Sequence, residues 1–190
     1  MSVPRPDLIL LGLPGSGKTT LAERLGRELG RPVIDLDDRA PAYAGCSTIA
    51  EVFERLGEAS FRDAETRALA DVLDAQDADA PRIIALGGGT PTAATLDASI
   101  AAADLLRLAQ DERRAILVYL RLSTPSLIAR LEQADNHHRP TLTSPTGLAA
   151  LEAIHHTRDP LYQALAGATI ECDDLNEAQS VEAVLRASRA

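Results

Sequence analysis

The chain has 190 residues, 45 % apolar and 25 % charged, so it is long and apolar enough to bury a core without disulfides and lacks the composition of a disordered segment. A formal charge of -9 and an aromatic content of 3 % exclude the usual nucleic-acid binder, which needs a basic stripe with interleaved aromatics. The apolar run 8–11 ends at Gly12, too short for a signal-peptide core or a membrane span, and Cys46 and Cys172 stand far apart in no metal-ligand or CxxC spacing; no membrane partner and a reducing, cytoplasmic setting are expected.

In chain order, residues 7–13 read as a buried strand, and 19–29 as a helix with Leu21, Leu25 and Leu29 on one face and Gly30 as its stop. A short strand follows at 32–36, then polar residues, a helical stretch at 47–56 and a longer helix at 57–76. Residues 82–86 form a third strand, cut off by Gly87-Gly88-Gly89. A helix at 92–109, a strand at 115–120 and a helix at 125–133 come next. Residues 134–147, polar and with two prolines, are expected to be an exposed, mobile loop; a helix to 165, a strand at 168–172 and a terminal helix complete the chain. Strands alternate with helices throughout, which predicts one α/β domain over 1–190, a parallel sheet covered on both faces.

Gly12-Leu-Pro14-Gly15-Ser16-Gly17-Lys18-Thr19 fits GxxxxGK[ST] and lies between a predicted strand and a predicted helix, the context in which that pattern has a mechanism. The glycines let the backbone fold so that successive N–H groups point inward, and the helix N-terminus adds partial positive charge, so the loop suits the phosphates of a nucleotide. Lys18 would bridge the outer phosphates and the Thr19 hydroxyl would ligate magnesium. Nineteen residues are basic, and all but Lys18 are arginine, so the one compact ammonium sits where the cradle uses it.

Asp35 and Asp37 stand at the end of the second strand, the edge of an open α/β sheet where ligands bind, and alternation puts both on one face. A water-mediated metal contact and a catalytic base are natural roles for them; helix N-capping by Asp37 or Asp38 is the alternative. Arg62 and Glu65, three apart on a helix, read equally as a surface ion pair of little worth. Three glycines exceed what a turn needs, which suggests close approach of backbone to a ligand, although a plain loop also satisfies the pattern. Arg139 and Arg158 are, on frequency alone, solvated side chains, and so are the histidine pairs 137–138 and 155–156.

Taken in order, the glycine-rich loop, Asp35-Leu-Asp37, Gly-x-Ser-x-Ile followed by Val-Phe, Phe61-Arg62-x-x-Glu65, the triple glycine, Arg139-Pro140 and Arg158-x-Pro-x-Tyr162 resemble the shikimate kinases over about residues 8–172. The resemblance implies a P-loop fold with a five-stranded parallel sheet. It also implies ATP and Mg2+ as cofactors and transfer of a phosphoryl group to the 3-hydroxyl of shikimate; a monomer is the default expectation, since no exposed apolar stripe stands out. Lys18 and the loop, with Thr20 and Arg130, would hold the nucleotide, Arg130 against the adenine. Thr19 and Asp35 would hold the metal, Asp35 through water. Asp37 would meet the substrate hydroxyl, Arg62 braced by Glu65 would share the carboxylate with Arg158, and the Gly87–Gly89 backbone would touch the substrate. Arg139 would close with the loop 134–147 onto the transferring phosphate. Ala85 stands where many relatives carry a serine near magnesium. A kinase of another polyol acid such as gluconate, a nucleoside monophosphate kinase, and a sensing domain that has lost turnover are the competing readings; Lys18, Thr19, Asp37 and Arg139 weigh against the last.

Overall fold

A computed structural model describes residues 5–75, 77, 80–133 and 145–189, the side chains of 145–149 excepted. Five strands, β1 (Asp7–Leu11), β2 (Val33–Asp35), β3 (Ile83–Ala85), β4 (Ala115–Arg121) and β5 (Ala168–Glu171), form one sheet in the order β2-β3-β1-β4-β5. All neighbouring pairs are parallel. β1 is central, with Leu8 opposite Ile83 and Ile116 and Leu10 opposite Ala85 and Val118. Because helices cover both sheet faces, the inner strands run apolar without alternation, and every residue of β1 is buried.

Helix α1 (Lys18–Leu29) follows β1, and α2 (Leu36–Tyr43) and α3 (Ile49–Asp74) follow β2. A 3₁₀ turn at Thr90–Thr92 and α4 (Ala102–Asp111) follow β3; α5 (Thr124–Gln133) and α6 (Pro145–Leu165) follow β4, and α7 (Glu177–Ala187) follows β5. From β1 the chain crosses to β2 on one side, whereas from β3 it crosses to β4 on the other. The loops leaving β1 and β3 therefore part at adjacent strands, and the crevice between them is where such sheets bind ligands.

Several expectations are corrected. β2 ends at Asp35 and a helix begins at Leu36, where polar, irregular chain was expected. Asp35, not Asp37 or Asp38, is the N-cap: its side chain accepts from the Asp37 N–H, and Asp37 and Asp38 place acids in the first turn. The two helical stretches at 47–56 and 57–76 meet within α3 at a kink, where Gly57 has φ 79° and ψ 176°. The helix expected over 92–109 starts only at Ala102. Ahead of it Asp97 accepts from the hydroxyls of Thr95 and Ser99, both at 2.7 Å, and from Ser99 N–H, while Thr95 accepts from Ile100 N–H; these local bonds compete with the helix. Helix α6 begins at Pro145, because proline suits a first helical turn, so the loop expected over 134–147 loses its last three residues. The rest of that loop, 134–144, lies outside the described residues.

Candidate active site

The loop from Gly12 to Gly17 is shaped by two left-handed glycines, Gly15 at φ 84° and Gly17 at φ 85°, a conformation that strains any other residue. Gly17 is the N-cap of α1 and brings no side chain to it, so the first turn of the helix keeps its N–H groups for a ligand. A Cβ on Gly12 would strike Ser16, and one on Gly15 would come within 2.9 Å of the Leu131 side chain on α5. Lys18 is buried at 8 % exposure and arches back over the loop, donating to Gly12 O at 2.8 Å and Leu13 O at 3.1 Å. Its ammonium thus stands over the cradle. Thr20, two residues on, is exposed.

Thr19 Oγ1 donates to Asp35 Oδ2 at 2.6 Å, which joins the first turn of α1 to the end of β2. Ala85 is the register partner of Asp35 on β3 and contributes no polar atom. Two hard oxygen donors side by side at the mouth of a phosphate cradle are what Mg2+ accepts from protein, since it fills its other positions with phosphate oxygens and water. Among the described residues no cluster of three or more His, Cys, Asp or Glu is arranged to hold a metal by itself.

Across the crevice, the Gly87–Gly89 backbone is packed on three sides. A Cβ on Gly87 would lie 2.5 Å from Asp37 Oδ1 and 2.8 Å from Thr90 Oγ1, and would clash with Glu65 Oε1; the residue must be glycine for those groups to converge. One on Gly88 would sit 2.6 Å from the Pro14 ring, so the triple-glycine loop lies against the phosphate loop itself. One on Gly89 would overlap the Arg62 guanidinium.

The Arg62–Glu65 pair is no surface decoration. Arg62 Nη1 donates to Glu65 Oε2 at 2.5 Å, Glu65 is 1 % exposed, and its other oxygen accepts from Thr90 at 2.7 Å. Glu58 adds a second carboxylate to Arg62 at 2.9 Å. Burial raises the pKa of Glu65 and the nearby Asp37 charge adds to it, against the pull of Arg62 and Thr90. For Arg62, burial opposes the charge but Glu65 and Glu58 outweigh it, so its pKa rises further.

From α6, Arg158 Nη1 and the Tyr162 hydroxyl both donate to Gly88 O, at 2.8 and 2.7 Å. Tyr162 is fully buried, and burial pushes its phenol up to about 12, which keeps it a donor. Arg130, on α5, spans from Ser16 O at 3.4 Å to Cys172 O at 3.3 Å, at the rim of the cradle. The structure thus gathers Lys18, Thr19, Asp35, Asp37, Arg62, Glu65, Gly87, Gly88, Gly89, Arg130 and Arg158 around one crevice. Arg139 lies outside the described residues. His155 bonds Leu122 O at 3.0 Å, as a structural residue would. Sequence reasoning assigned no role to Thr90, which follows the triple glycine, or to Tyr162, although the latter closes a motif it did read.

The strand order, the crevice and the lysine-capped loop define a P-loop kinase of small acceptors. Residues 14–189 match the family model described as "Shikimate kinase". A shikimate kinase of Xanthomonas campestris is 34 % identical over 96 % of this chain and 92 % of its own length, and one from Stenotrophomonas maltophilia is 36 % identical over 93 % and 88 %. The chain belongs to the shikimate kinase family. Among solved structures, the shikimate kinase from Acinetobacter baumannii in complex with shikimate superposes with a TM-score of 0.78 at 29 % identity, covering 95 % of this chain and 91 % of that one. A gluconokinase from Sinorhizobium meliloti shares the fold at 0.63 and 20 % identity, covering 99 % and 94 %.

Proposed function

We propose that the chain phosphorylates shikimate at its 3-hydroxyl with ATP, as a single cytoplasmic domain acting as a monomer. The observation that carries the reading is the convergence of Asp37, Arg62 and Arg158 on the Gly87–Gly89 backbone, directly beside the phosphate loop. A carboxylate base supplies a reason for a hydroxyl acceptor, and two arginines supply a reason for a carboxylate on it, because a guanidinium fork binds a carboxylate bidentately. The buried, free cysteines Cys46 and Cys172 suit a reducing compartment, and no helix of the described residues is long and apolar enough to cross a membrane.

In this reading the phosphate loop holds the β- and γ-phosphates, Lys18 moves its donors from loop carbonyls to phosphate oxygens, and Arg130 borders the adenine. Thr19 and, through water, Asp35 would hold Mg2+, which would supply neutralisation of the phosphate charge. Arg62 and Arg158 fix the acceptor by its carboxylate, and Glu65 holds Arg62 in place. Asp37 takes the proton of the 3-hydroxyl as that oxygen bonds to the γ-phosphorus. The bond from the γ-phosphorus to the β,γ-bridging oxygen breaks, and ADP leaves with that oxygen. Arg139 completes the site as the cation that meets the transferring group. Positioning and charge neutralisation supply most of the rate in such a reaction, and Asp37 adds the proton transfer. The test is the product: incubation with ATP, Mg2+ and shikimate, followed by phosphorus and proton NMR, should give one phosphate ester at the 3-position. An ester at another hydroxyl, or none, would refute the assignment.

A further inference from the structure

Helix α6 presents two pairs of side chains, each four residues apart and therefore on one face. Arg158 and Tyr162 face the triple-glycine loop and both donate to Gly88 O. Asp159 and Gln163 face β4 instead. Asp159 is 8 % exposed and accepts four hydrogen bonds: from Tyr119 Oη at 2.8 Å, from Arg121 Nε at 2.8 Å and Nη2 at 3.0 Å, and from Gln163 Nε2 at 2.7 Å. Tyr119 and Arg121 are two apart on β4 and so point to the same side of the sheet. The Tyr119 ring also meets the Tyr162 ring edge-on, with centroids 5.5 Å apart.

A carboxylate so fully bonded fixes both the height and the rotation of α6 against the sheet. Arg158 is its immediate neighbour in sequence, so any slip of Asp159 carries the Arg158 guanidinium away from Gly88. We propose that Asp159 is a positioning residue for the acceptor's carboxylate, acting through Arg158; Tyr119 and Arg121 are its anchors. The inference rests on the reading above, in which Arg158 binds that carboxylate. Asp159 accepts its four bonds from within the protein and acts on the acceptor only through Arg158, so its loss should selectively weaken acceptor binding.

The experiment compares Asp159→Asn, Asp159→Glu, Arg121→Gln and Arg158→Ala by steady-state kinetics with shikimate and ATP varied separately. Asparagine puts an N–H donor where donors already crowd and removes the charge that pairs with Arg121. A misplacement of this kind in a positioning group raises KM for shikimate about tenfold while KM for ATP moves less than about twofold. Asp159→Glu, which keeps the carboxylate, restores most of the loss. Should Asp159→Asn fail to fold, Arg121→Gln removes two of the four bonds from the more open side and shows the same split more weakly. A high KM for shikimate in Arg158→Ala with a normal one in Asp159→Asn and Arg121→Gln overturns the inference and leaves the reading of Arg158 standing. A normal KM in Arg158→Ala overturns both. Equal rises in KM for both substrates would mark Asp159 as a structural residue alone and also overturn the inference.

Discussion

Thr19 and Asp35, sixteen residues apart in sequence, share a 2.6 Å hydrogen bond that ties the nucleotide loop's helix to the neighbouring edge of the sheet. Asp35 uses its other oxygen to cap α2 through the Asp37 N–H at 2.9 Å. One carboxylate therefore sets the distance between the Thr19 hydroxyl, the proposed metal ligand, and Asp37, the proposed base.

Asp35→Asn should lower the affinity for Mg2+ more than that for shikimate. An amide keeps the cap on α2 but removes the charge that helps orient a metal-bound water. Loss of such an outer partner is typically worth about 10- to 100-fold in metal affinity. Titrating Mg2+ at fixed ATP and shikimate measures it; an unchanged Mg2+ dependence would take Asp35 out of the metal site.

Asp37→Asn should cut kcat by about two to four orders of magnitude, the usual worth of a general base, with KM for ATP nearly unchanged. Asp37 borders Gly87, and in the proposed mechanism it meets the acceptor's hydroxyl rather than the nucleotide, so its loss should spare ATP binding. Near-normal turnover would remove Asp37 from the proton transfer.

Gly87→Ala should damage the site without touching either substrate's charges. The added methyl meets Asp37 Oδ1 at 2.5 Å, Thr90 Oγ1 at 2.8 Å and the buried Glu65, so one of these must move. Forcing such groups apart costs about 1–3 kcal/mol of stability, and a displaced base lowers kcat about 100-fold. Thermal melts together with kinetics separate the two effects; wild-type values for both would mean that the crevice is wider than described.

The acid limb of stability should depend on Asp159. Burial alone would raise its pKa from 3.8, but bonds from Arg121, Tyr119 and Gln163 outweigh burial and depress it. A carboxyl depressed on folding contributes stability that is present above its unfolded pKa and is lost as pH falls through its lower folded value. Urea denaturation between neutral pH and pH about 2.5 should therefore show a smaller acid-induced loss in Asp159→Asn than in the wild type. Parallel curves for the two proteins would contradict that account.

How much of this could be read from the residues depended on range. The phosphate loop lies within eight consecutive residues, and its glycines and lysine announce themselves by spacing alone. The strands of the inner sheet were readable because a run such as Asp-Leu-Ile-Leu-Leu has no other use in a chain this size. Helix α2 was missed, since Pro41 and the paired acids look like loop; Asp35 followed by two acids was the available sign of its start. The first part of the helix expected over 92–109, before Ala102, failed because the side chains of Thr95, Asp97 and Ser99 bond one another and the neighbouring backbone N–H groups.

Apart from Arg139, the site residues read from motifs lie around one crevice, yet their energetics were not visible. Nothing in Arg62-x-x-Glu65 reveals that Glu65 is buried to 1 % exposure beneath Thr90, because that burial is created by a loop 25 residues away. The Tyr162 bond to Gly88 spans 74 residues and needs the sheet order, which no local pattern encodes.

The central claim is tested most directly by ADP release with ATP, Mg2+ and a panel of acceptors: shikimate, quinate, gluconate and nucleoside monophosphates. Shikimate should give the highest kcat/KM by about 100-fold or more, since on the proposed roles the others misplace either the carboxylate assigned to Arg62 and Arg158 or the hydroxyl assigned to Asp37. Faster turnover with any other acceptor, or ADP release indifferent to shikimate, would contradict it.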